Sequence, residues 1–273
     1  MHLKGRDDWI TRALFQMTYA VMQTGLEPPS AEQLKNAFQE VPGLTAMNVN
    51  TLGKDAYGVL VKGFEFDRAS AMQSALAAQG VETEVVDDAA LTELPPPRPL
   101  TKVEFTPEAL GIYDLLGQSV PLEWNNISVI ASGRTRLTEF TRDLVNKVVT
   151  RPAGRHFELK VVTEAVTKEA QQDHLLLEIV TRGAALRYHA VADRIEAHLL
   201  FQSLGERRGK DPATNLALFV QDLAKFAPAA VLNHGAFYMC EHSDPLYTYP
   251  SQTAFYREIT WLLWMVSTGR AKG

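Results

Sequence analysis

The chain has 273 residues, of which 46% are hydrophobic and 22% are charged. This composition is that of an ordinary soluble protein, and the length predicts about two domains with a large core. The formal net charge of −5 excludes the basic character typical of nucleic-acid-binding proteins, so no nucleic-acid partner is expected. The charge is uneven, because residues 1–94 hold 7 basic and 13 acidic residues whereas residues 95–273 hold 20 and 19.

Cysteine content and apolar runs predict the compartment. Cys240 is the only cysteine, which excludes an internal disulfide framework and favours a reducing environment. The segment MHLKGRDDW at the start has no apolar stretch typical of a signal peptide. The longest strongly apolar run, near Trp261–Val266, is too short to span a bilayer. We therefore expect a cytoplasmic protein without a transmembrane segment.

Residues 1–94 predict a ferredoxin-like domain. Four strands and two helices follow in the order β-α-β-β-α-β, which is the order of that fold. Ser30 and Asp67 are predicted to cap the two helices, and Gly80 to end the second one. The predicted strands are Leu14–Met22, Thr45–Thr51, Tyr57–Phe64 and Val81–Val86.

The ferredoxin-like fold does not select a function, since it serves metal carriers, regulatory modules and RNA-binding domains. The Cys-x-x-Cys motif of a metal carrier is missing, and Tyr57 and Phe64 lie in an acidic rather than a basic context. Two interpretations remain open. The exposed sheet face binds a small regulatory molecule, or it packs against the rest of the protein, which we favour.

A proline-rich linker separates the two predicted domains. Residues 95–99 read Pro-Pro-Pro-Arg-Pro. Consecutive prolines adopt an extended and semi-rigid conformation, so a spacer is expected, with a proline-motif ligand as the less favoured alternative.

Residues 100–273 predict a mostly antiparallel, β-barrel-like domain whose element order is that of a pleckstrin-homology-like fold. Alternating apolar residues on both sides of Asn125-Asn126 predict a hairpin, with Trp124 in the core. Leu175–Val180 is a continuous apolar run typical of a central strand. Helices are predicted near 212–227, with Asp211 as N-cap, and near 252–268.

A segment rich in arginine follows the predicted hairpin. Leu137–Val149 within it fits either a long strand or a short helix. Charge-rich runs are usually solvated faces, but this one is also a candidate site for an anionic small molecule. The candidate anion-binding residues are Arg134, Arg136, Arg142, Arg151 and Arg155.

Candidate chemistry is confined to the segment NHGAFYMCEH. His234, Cys240 and His242 are residue types that bind zinc or form a nucleophile–base pair. Their spacing matches no standard zinc site, and a lone cysteine is more often a small core residue. No glycine-rich phosphate-binding loop is present either. We therefore expect no metal and no cofactor, and keep these three residues only as catalytic candidates.

Four segments carry a resemblance to a known family. They are VETEVVDDAALTELPPP, YDLLGQSVPLEW followed by VIASGR, NLALFVQDLAKFAPAAVLNHGA, and TAFYREITWLLWM. Across most of its length the chain resembles a bacterial family of hypothetical proteins. That family has no known activity, so the resemblance implies no functional residues.

Because no complete catalytic constellation is present, the sequence favours a non-enzymatic binding or scaffolding protein. Its expected partner is a protein or an anionic small molecule. A cysteine- or metal-dependent hydrolase that uses Cys240, His234 and His242 is the first alternative. A regulator that senses a small molecule is the second.

Overall fold

The computed structural model describes residues 17–114, 116–153, 156–241 and 246–271. Within them the protein has the predicted α+β class, with three β-sheets. The N-terminal part forms an antiparallel three-stranded sheet in the order β2-β1-β3, and three helices pack on it. Its elements are β1 (Tyr19–Gln23), α1 (Ala31–Gln39), α2 (Ala46–Asp55), β2 (Val59–Phe64), α3 (Phe66–Ala78) and β3 (Thr83–Asp87).

The caps of this part are partly as predicted. Ser30 caps α1 in a full capping box with Gln33, which confirms the prediction. Helix α3 has Glu65 rather than Asp67 as its N-cap residue. Asp67 instead lies in the first turn, where a negative charge is favourable next to the positive end of the helix dipole. Gly80 follows α3 with a φ of 75°, as expected for a helix end.

The predicted strand Thr45–Thr51 is wrong, because this segment begins α2. The Thr45 hydroxyl accepts from the backbone N–H of Asn48 at 3.2 Å, and the Asn48 side chain accepts from the backbone N–H of Thr45 at 3.1 Å. This reciprocal cap satisfies two backbone donors that a helix start otherwise leaves unpaired. Met47 is 78% exposed, so the apolar alternation is not matched by burial. The element order is therefore β-α-α-β-α-β.

Within the described residues, the C-terminal part contains two further sheets and four helices. One sheet has three strands in the order β5-β6-β7, and the other has five in the order β11-β8-β9-β10-β4. The strands are β4 (Pro97–Pro99), β5 (Lys102–Phe105), β6 (Ala109–Tyr113), β7 (Ser119–Glu123), β8 (Ile127–Ala153), β9 (His156–Thr181), β10 (Arg187–Val191) and β11 (Val231–Leu232). The helices are α4 (Ala197–Leu200), α5 (Pro212–Phe226), α6 (His234–Glu241) and α7 (Gln252–Ser267). The predicted helices near 212–227 and 252–268 are confirmed.

The proline-rich segment is more than a spacer. Pro97–Pro99 forms β4 and pairs in parallel with β10. The backbone N–H of Leu100 continues this contact by donating to the carbonyl of His189 at 2.8 Å. Proline cannot donate a backbone hydrogen bond, which explains why β4 lies at the edge of the five-stranded sheet.

The predicted hairpin around Asn125-Asn126 is wrong. β7 pairs with β6, whereas β8 pairs with β9, so the two strands that flank this turn belong to different sheets. The prediction for Trp124 is confirmed, since its ring is buried and stacks on Phe105 and Phe226. The sheets of the described residues do not close into a barrel, because the strand ladder is interrupted between β7 and β8.

Helix α7 lies between two sheets. One hydrophobic cluster joins it to the sheet of the N-terminal part and to one face of the five-stranded sheet. The Trp261 indole donates to the backbone carbonyl of Gln23 at 2.7 Å, which ties α7 directly to β1. The second face of the five-stranded sheet packs against α5, α6 and the β5-β6-β7 sheet. The expectation that the N-terminal sheet packs against the rest of the protein is thus confirmed.

Strands β8 and β9 extend far beyond the body of the protein. They remain paired without interruption from Val129 to Ala153, which settles Leu137–Val149 as strand. Among the described residues, the last backbone contacts of β8 with the body are at Arg134, to Tyr247 and Tyr249. We call Phe140–Ala153 together with His156–Glu169 the arm. At 3.3 Å per residue it is about 45 Å long.

Candidate functional site

A buried carboxyl group organises the centre of the protein. Glu258 lies on the buried stripe of α7, with a side chain that is only 1% exposed. Its Oε1 accepts from the backbone N–H of His234 at 2.9 Å and also bonds Nδ1 of the His234 ring. Its Oε2 accepts from the hydroxyl of Tyr249 at 2.5 Å. Three hydrogen bonds therefore compensate the burial of this group.

The residue before α6 positions this cluster. Asn233 is fully buried, and its Oδ1 accepts from the backbone N–H of Ala236 at 2.8 Å, which caps the helix. Its amide also bonds Ser132 on β8 in both directions and donates to the hydroxyl of Tyr249 at 2.7 Å. The N-terminus of α6 is thereby fixed against β8, and His234, its first residue, is held above Glu258.

Aromatic rings close the cluster on one side. The Tyr57 ring from the N-terminal part meets the His234 ring edge to face, with centroids 5.7 Å apart. Its hydroxyl bonds that of Tyr247. Burial raises the pKa of both these tyrosines and of Tyr249, so their hydroxyls stay protonated at neutral pH. They are hydrogen-bonding groups rather than nucleophiles.

The pKa of His234 is raised above its usual 6.5, chiefly by the hydrogen bond to Glu258. A raised folded-state pKa stabilises the protein below the unfolded pKa, and this stabilisation is lost as pH rises through the folded pKa. We therefore expect His234→Gln to destabilise the protein more at about pH 6 than at about pH 9. Urea unfolding of both proteins across this range measures the difference, and a difference that does not shrink towards high pH would contradict the pairing.

A second buried carboxyl group lies on β9. Glu178 is fully buried and bonds Arg187 at 2.9 Å, His189 at 2.8 Å and the hydroxyl of Tyr256 at 2.9 Å. Arg187 also stacks over the Tyr256 ring, 4.8 Å from its centroid. These contacts join β9, β10 and α7, and the charge of Glu178 is compensated by Arg187. Glu178 and its partners therefore hold these three elements together.

Neither carboxyl group was among the predicted site residues, although each gave a signal. Glu178 interrupts the apolar run Leu175–Val180, and Glu258 falls on the stripe of α7 that includes Phe255, Ile259 and Leu262. An acidic residue at a position whose neighbours are all buried requires partners. The partners of Glu178 and Glu258, however, lie between 9 and 78 residues away in the chain and leave no local pattern.

The three candidates for chemistry do not assemble into a site within the described residues. His234 and Cys240 lie six residues apart on α6, which at 3.6 residues per turn places them about 120° apart. His234 contacts Glu258, whereas Cys240 packs against the other hydrophobic cluster. Burial raises the pKa of the Cys240 thiol, the opposite of what a nucleophile requires. His242 lies outside the described residues. In the described part of the chain, no group of three or more His, Cys, Asp or Glu is arranged to hold a metal ion.

The candidate anion-binding arginines lie along the arm and its base. Arg134, Arg136 and Arg142 share one face by strand alternation, and Arg136 pairs with Asp173 at 3.2 Å. Arg134 and Arg142 are eight residues apart, about 26 Å along the strand. Arg151 lies near the end of β8, and Arg155 falls outside the described residues. Such spacing does not form a single pocket.

The two faces of the arm differ in character. One face, which we call the apolar arm face, has Arg142 and Glu169 as its charged residues among the described side chains, and they carry opposite signs. It consists of Phe140, Arg142, Leu144, Asn146 and Val148 on β8 and Val161, Thr163, Ala165, Thr167 and Glu169 on β9. The opposite face also carries apolar residues, Val145, Val162 and Val166, but it has more charge, with Asp143 and a pair between Lys147 and Glu164 at 2.7 Å.

None of the helices in the described ranges is long and apolar enough to cross a bilayer. No protein-family model matches the chain, and comparison with curated proteins and with solved structures gives no significant match. The resemblance to a bacterial family therefore stays a prediction, and function is inferred from geometry alone.

Proposed function

We propose that this chain is a non-enzymatic binding and scaffolding protein that associates with a second copy of itself through the apolar arm face. The observation that carries the proposal is the arm: a two-stranded ribbon about 45 Å long, with one face on which Phe140, Leu144, Val148 and Val161 are exposed to solvent. An isolated two-stranded ribbon is marginally stable in water. A partner that covers this face stabilises it.

Exposure of large side chains supports the proposal. Phe140 is 69% exposed, Leu144 76%, Val148 63% and Val161 61%. Burying a side chain of this kind is worth about 1.5–3 kcal/mol, so two copies together gain on the order of 10 kcal/mol. Against a cost of association of about 4 kcal/mol, the lower end of its range, this gain leaves about 6 kcal/mol, which corresponds to a dissociation constant of about 40 μM. The expected product is a reversible dimer.

Charge and area favour a second copy as the partner. The described side chains of the apolar arm face carry one positive and one negative group, Arg142 and Glu169, so two identical faces meet without net repulsion. A ribbon about 10 Å wide and 45 Å long covers on the order of 1,000 Å² in total when two copies pack, which is the lower limit for a specific interface. A strongly charged partner would find no complementary net charge on the described side chains of this face.

We also propose a fold assignment for the N-terminal part. β2 and β3 both run antiparallel to β1, which lies between them, and α3 connects them. This is a split β-α-β unit of the ferredoxin-like type. We assign residues 17–94 to a ferredoxin-like variant in which α2 takes the place of one strand. The sheets of the described residues do not close, which gives no support to a pleckstrin-homology-like arrangement of residues 100–273.

The test compares two variants, each of which carries one new lysine, on opposite faces of the arm. Leu144→Lys introduces a charge into the apolar arm face, whereas Val145→Lys introduces the same charge at the adjacent position on the opposite face, across from Glu164. We expect the wild-type protein to dimerise reversibly at micromolar concentration, Leu144→Lys to weaken the dimer at least tenfold, and Val145→Lys to change it less than twofold.

Analytical ultracentrifugation over a concentration series measures these dissociation constants. A wild-type protein that stays monomeric at the highest concentration contradicts the proposal. So does an equal effect of the two lysines, because it shows that the apolar arm face is not the contact surface.

A further inference from the structure

A pocket beside the His234–Glu258 pair has the features of a small-molecule site. Its volume is ≈ 330 Å³. It lies between α6, β11 and α7, away from the arm, so a ligand in it is independent of self-association. Its apolar wall is formed by Leu232, Phe237, Trp261, Leu262 and Met265.

The ionisable side chains that line this pocket, among the described residues, are His234 and Glu258. Both oxygens of Glu258 already accept hydrogen bonds, from His234 and from Tyr249. Because Nδ1 of His234 bonds Glu258, Nε2 is the ring nitrogen left to meet a ligand. The His234 side chain is 32% exposed, whereas that of Glu258 is 1% exposed. One positioned nitrogen in an apolar pocket is the usual pattern of a specific small-molecule site.

We propose that this pocket binds a small, uncharged, largely apolar molecule that carries one hydroxyl group, and that Nε2 of His234 bonds the hydroxyl. A neutral imidazole accepts at Nε2 and a protonated one donates there, and a hydroxyl is both donor and acceptor. A hydroxyl group therefore forms a hydrogen bond with Nε2 of His234 whether the imidazole is neutral or protonated.

Charge disfavours an anionic ligand in this pocket. The described residues of the lining include neither lysine nor arginine, so His234 is their one cationic group. Because His234 already pairs with Glu258, a carboxylate ligand would add a second negative charge beside a single imidazole. The volume of the pocket indicates the scale of the ligand. An engineered cavity of about 150 Å³ holds benzene, so a pocket about twice as large fits one ring with a short alkyl chain.

The experiment compares four probes by isothermal titration calorimetry and ligand-observed NMR. 4-Propylphenol carries the hydroxyl, 4-propylanisole retains only an acceptor, propylbenzene has neither, and 4-propylbenzoate is the anion. We expect 4-propylphenol to bind saturably and at least tenfold more tightly than propylbenzene and 4-propylbenzoate, with 4-propylanisole between them.

Three variants assign the site. His234→Gln should reduce the preference for 4-propylphenol over propylbenzene at least fivefold. Phe237→Ala, which truncates a half-exposed wall residue and leaves the His234–Glu258 pair untouched, should weaken both ligands about threefold. Phe66→Ala is the matched control, because Phe66 is a similarly exposed phenylalanine at the start of α3, outside both the pocket and the arm, and it should change neither.

The proposal is overturned if 4-propylphenol binds no more tightly than propylbenzene, or if His234→Gln leaves their ratio unchanged. Should His234→Gln fail to fold, Phe237→Ala decides the location, since unchanged binding there shows that the ligand lies elsewhere. A monomeric protein that still binds 4-propylphenol would contradict the arm proposal and support this one.

Discussion

Replacement of Glu258 by alanine is expected to destabilise the protein by about 3–5 kcal/mol, because it leaves a buried set of donors without their acceptor. The backbone N–H and the ring of His234 and the hydroxyl of Tyr249 all bond this carboxyl group. The new cavity in α7 adds to the loss. Urea unfolding followed by tryptophan fluorescence reports it, since Trp124, Trp261 and Trp264 are buried.

Glu206→Ala is the control for this measurement. Glu206 is an exposed glutamate outside the arm, and its replacement should change the free energy of unfolding by less than about 0.5 kcal/mol. Glu258→Gln keeps the side-chain volume and one acceptor oxygen, so an intermediate loss is expected. A loss below about 1 kcal/mol for Glu258→Ala would show that these donors find other partners.

Gly235→Ala is expected to cost about 3 kcal/mol or more, because α6 approaches β8 so closely that no side chain fits between them. A Cβ atom at Gly235 would overlap the backbone carbonyl oxygen of Ser132 and lie 3.2 Å from Cα of Gly133. Backbone atoms cannot rotate away as a side chain can. The helix must therefore move, and with it the hydrogen bonds of Asn233 and His234.

A second glycine in a helix supplies the matched control for Gly235. Gly53 lies in α2, and a Cβ atom there meets nothing within 4 Å. Alanine is favoured over glycine in helix interiors by up to about 1 kcal/mol, so Gly53→Ala should stabilise the protein slightly. Thermal and urea unfolding of both variants give the comparison. Equal and small effects would mean that α6 can move away from β8 at little cost.

Much of the fold was accessible from the sequence where one local pattern dominates. Ser30 and Asp211 cap α1 and α5, as the residue order predicts, and the apolar stripe of α7 is found where its 3.6-residue period places it. Where two patterns compete, prediction failed. Residues 45–51 alternate like a strand, but the hydrogen bonds between Thr45 and Asn48 decide for a helix.

The arm could not be predicted from the sequence for a different reason. Strand pairing over Leu137–Val149 depends on a partner segment. The pattern of charged residues in this segment is compatible with a solvent-exposed helix as well as with a solvent-exposed ribbon. The apolar arm face emerges only when Phe140, Leu144 and Val161 are placed in register. Their alternation on either strand alone is too sparse to indicate a surface.

Local patterns were sufficient for the α+β class, for helices α1, α3, α5 and α7, and for the burial of Trp124 and of Leu175–Val180, because caps and apolar periodicity act between residues close in the chain. The sheet that each strand joins and the side chains that meet depend instead on long-range packing. Glu258 reaches His234 across 24 residues and Tyr57 reaches Tyr247 across 190. Such contacts exist because α7 is enclosed between two sheets, and the packing that encloses it is a property of the whole chain.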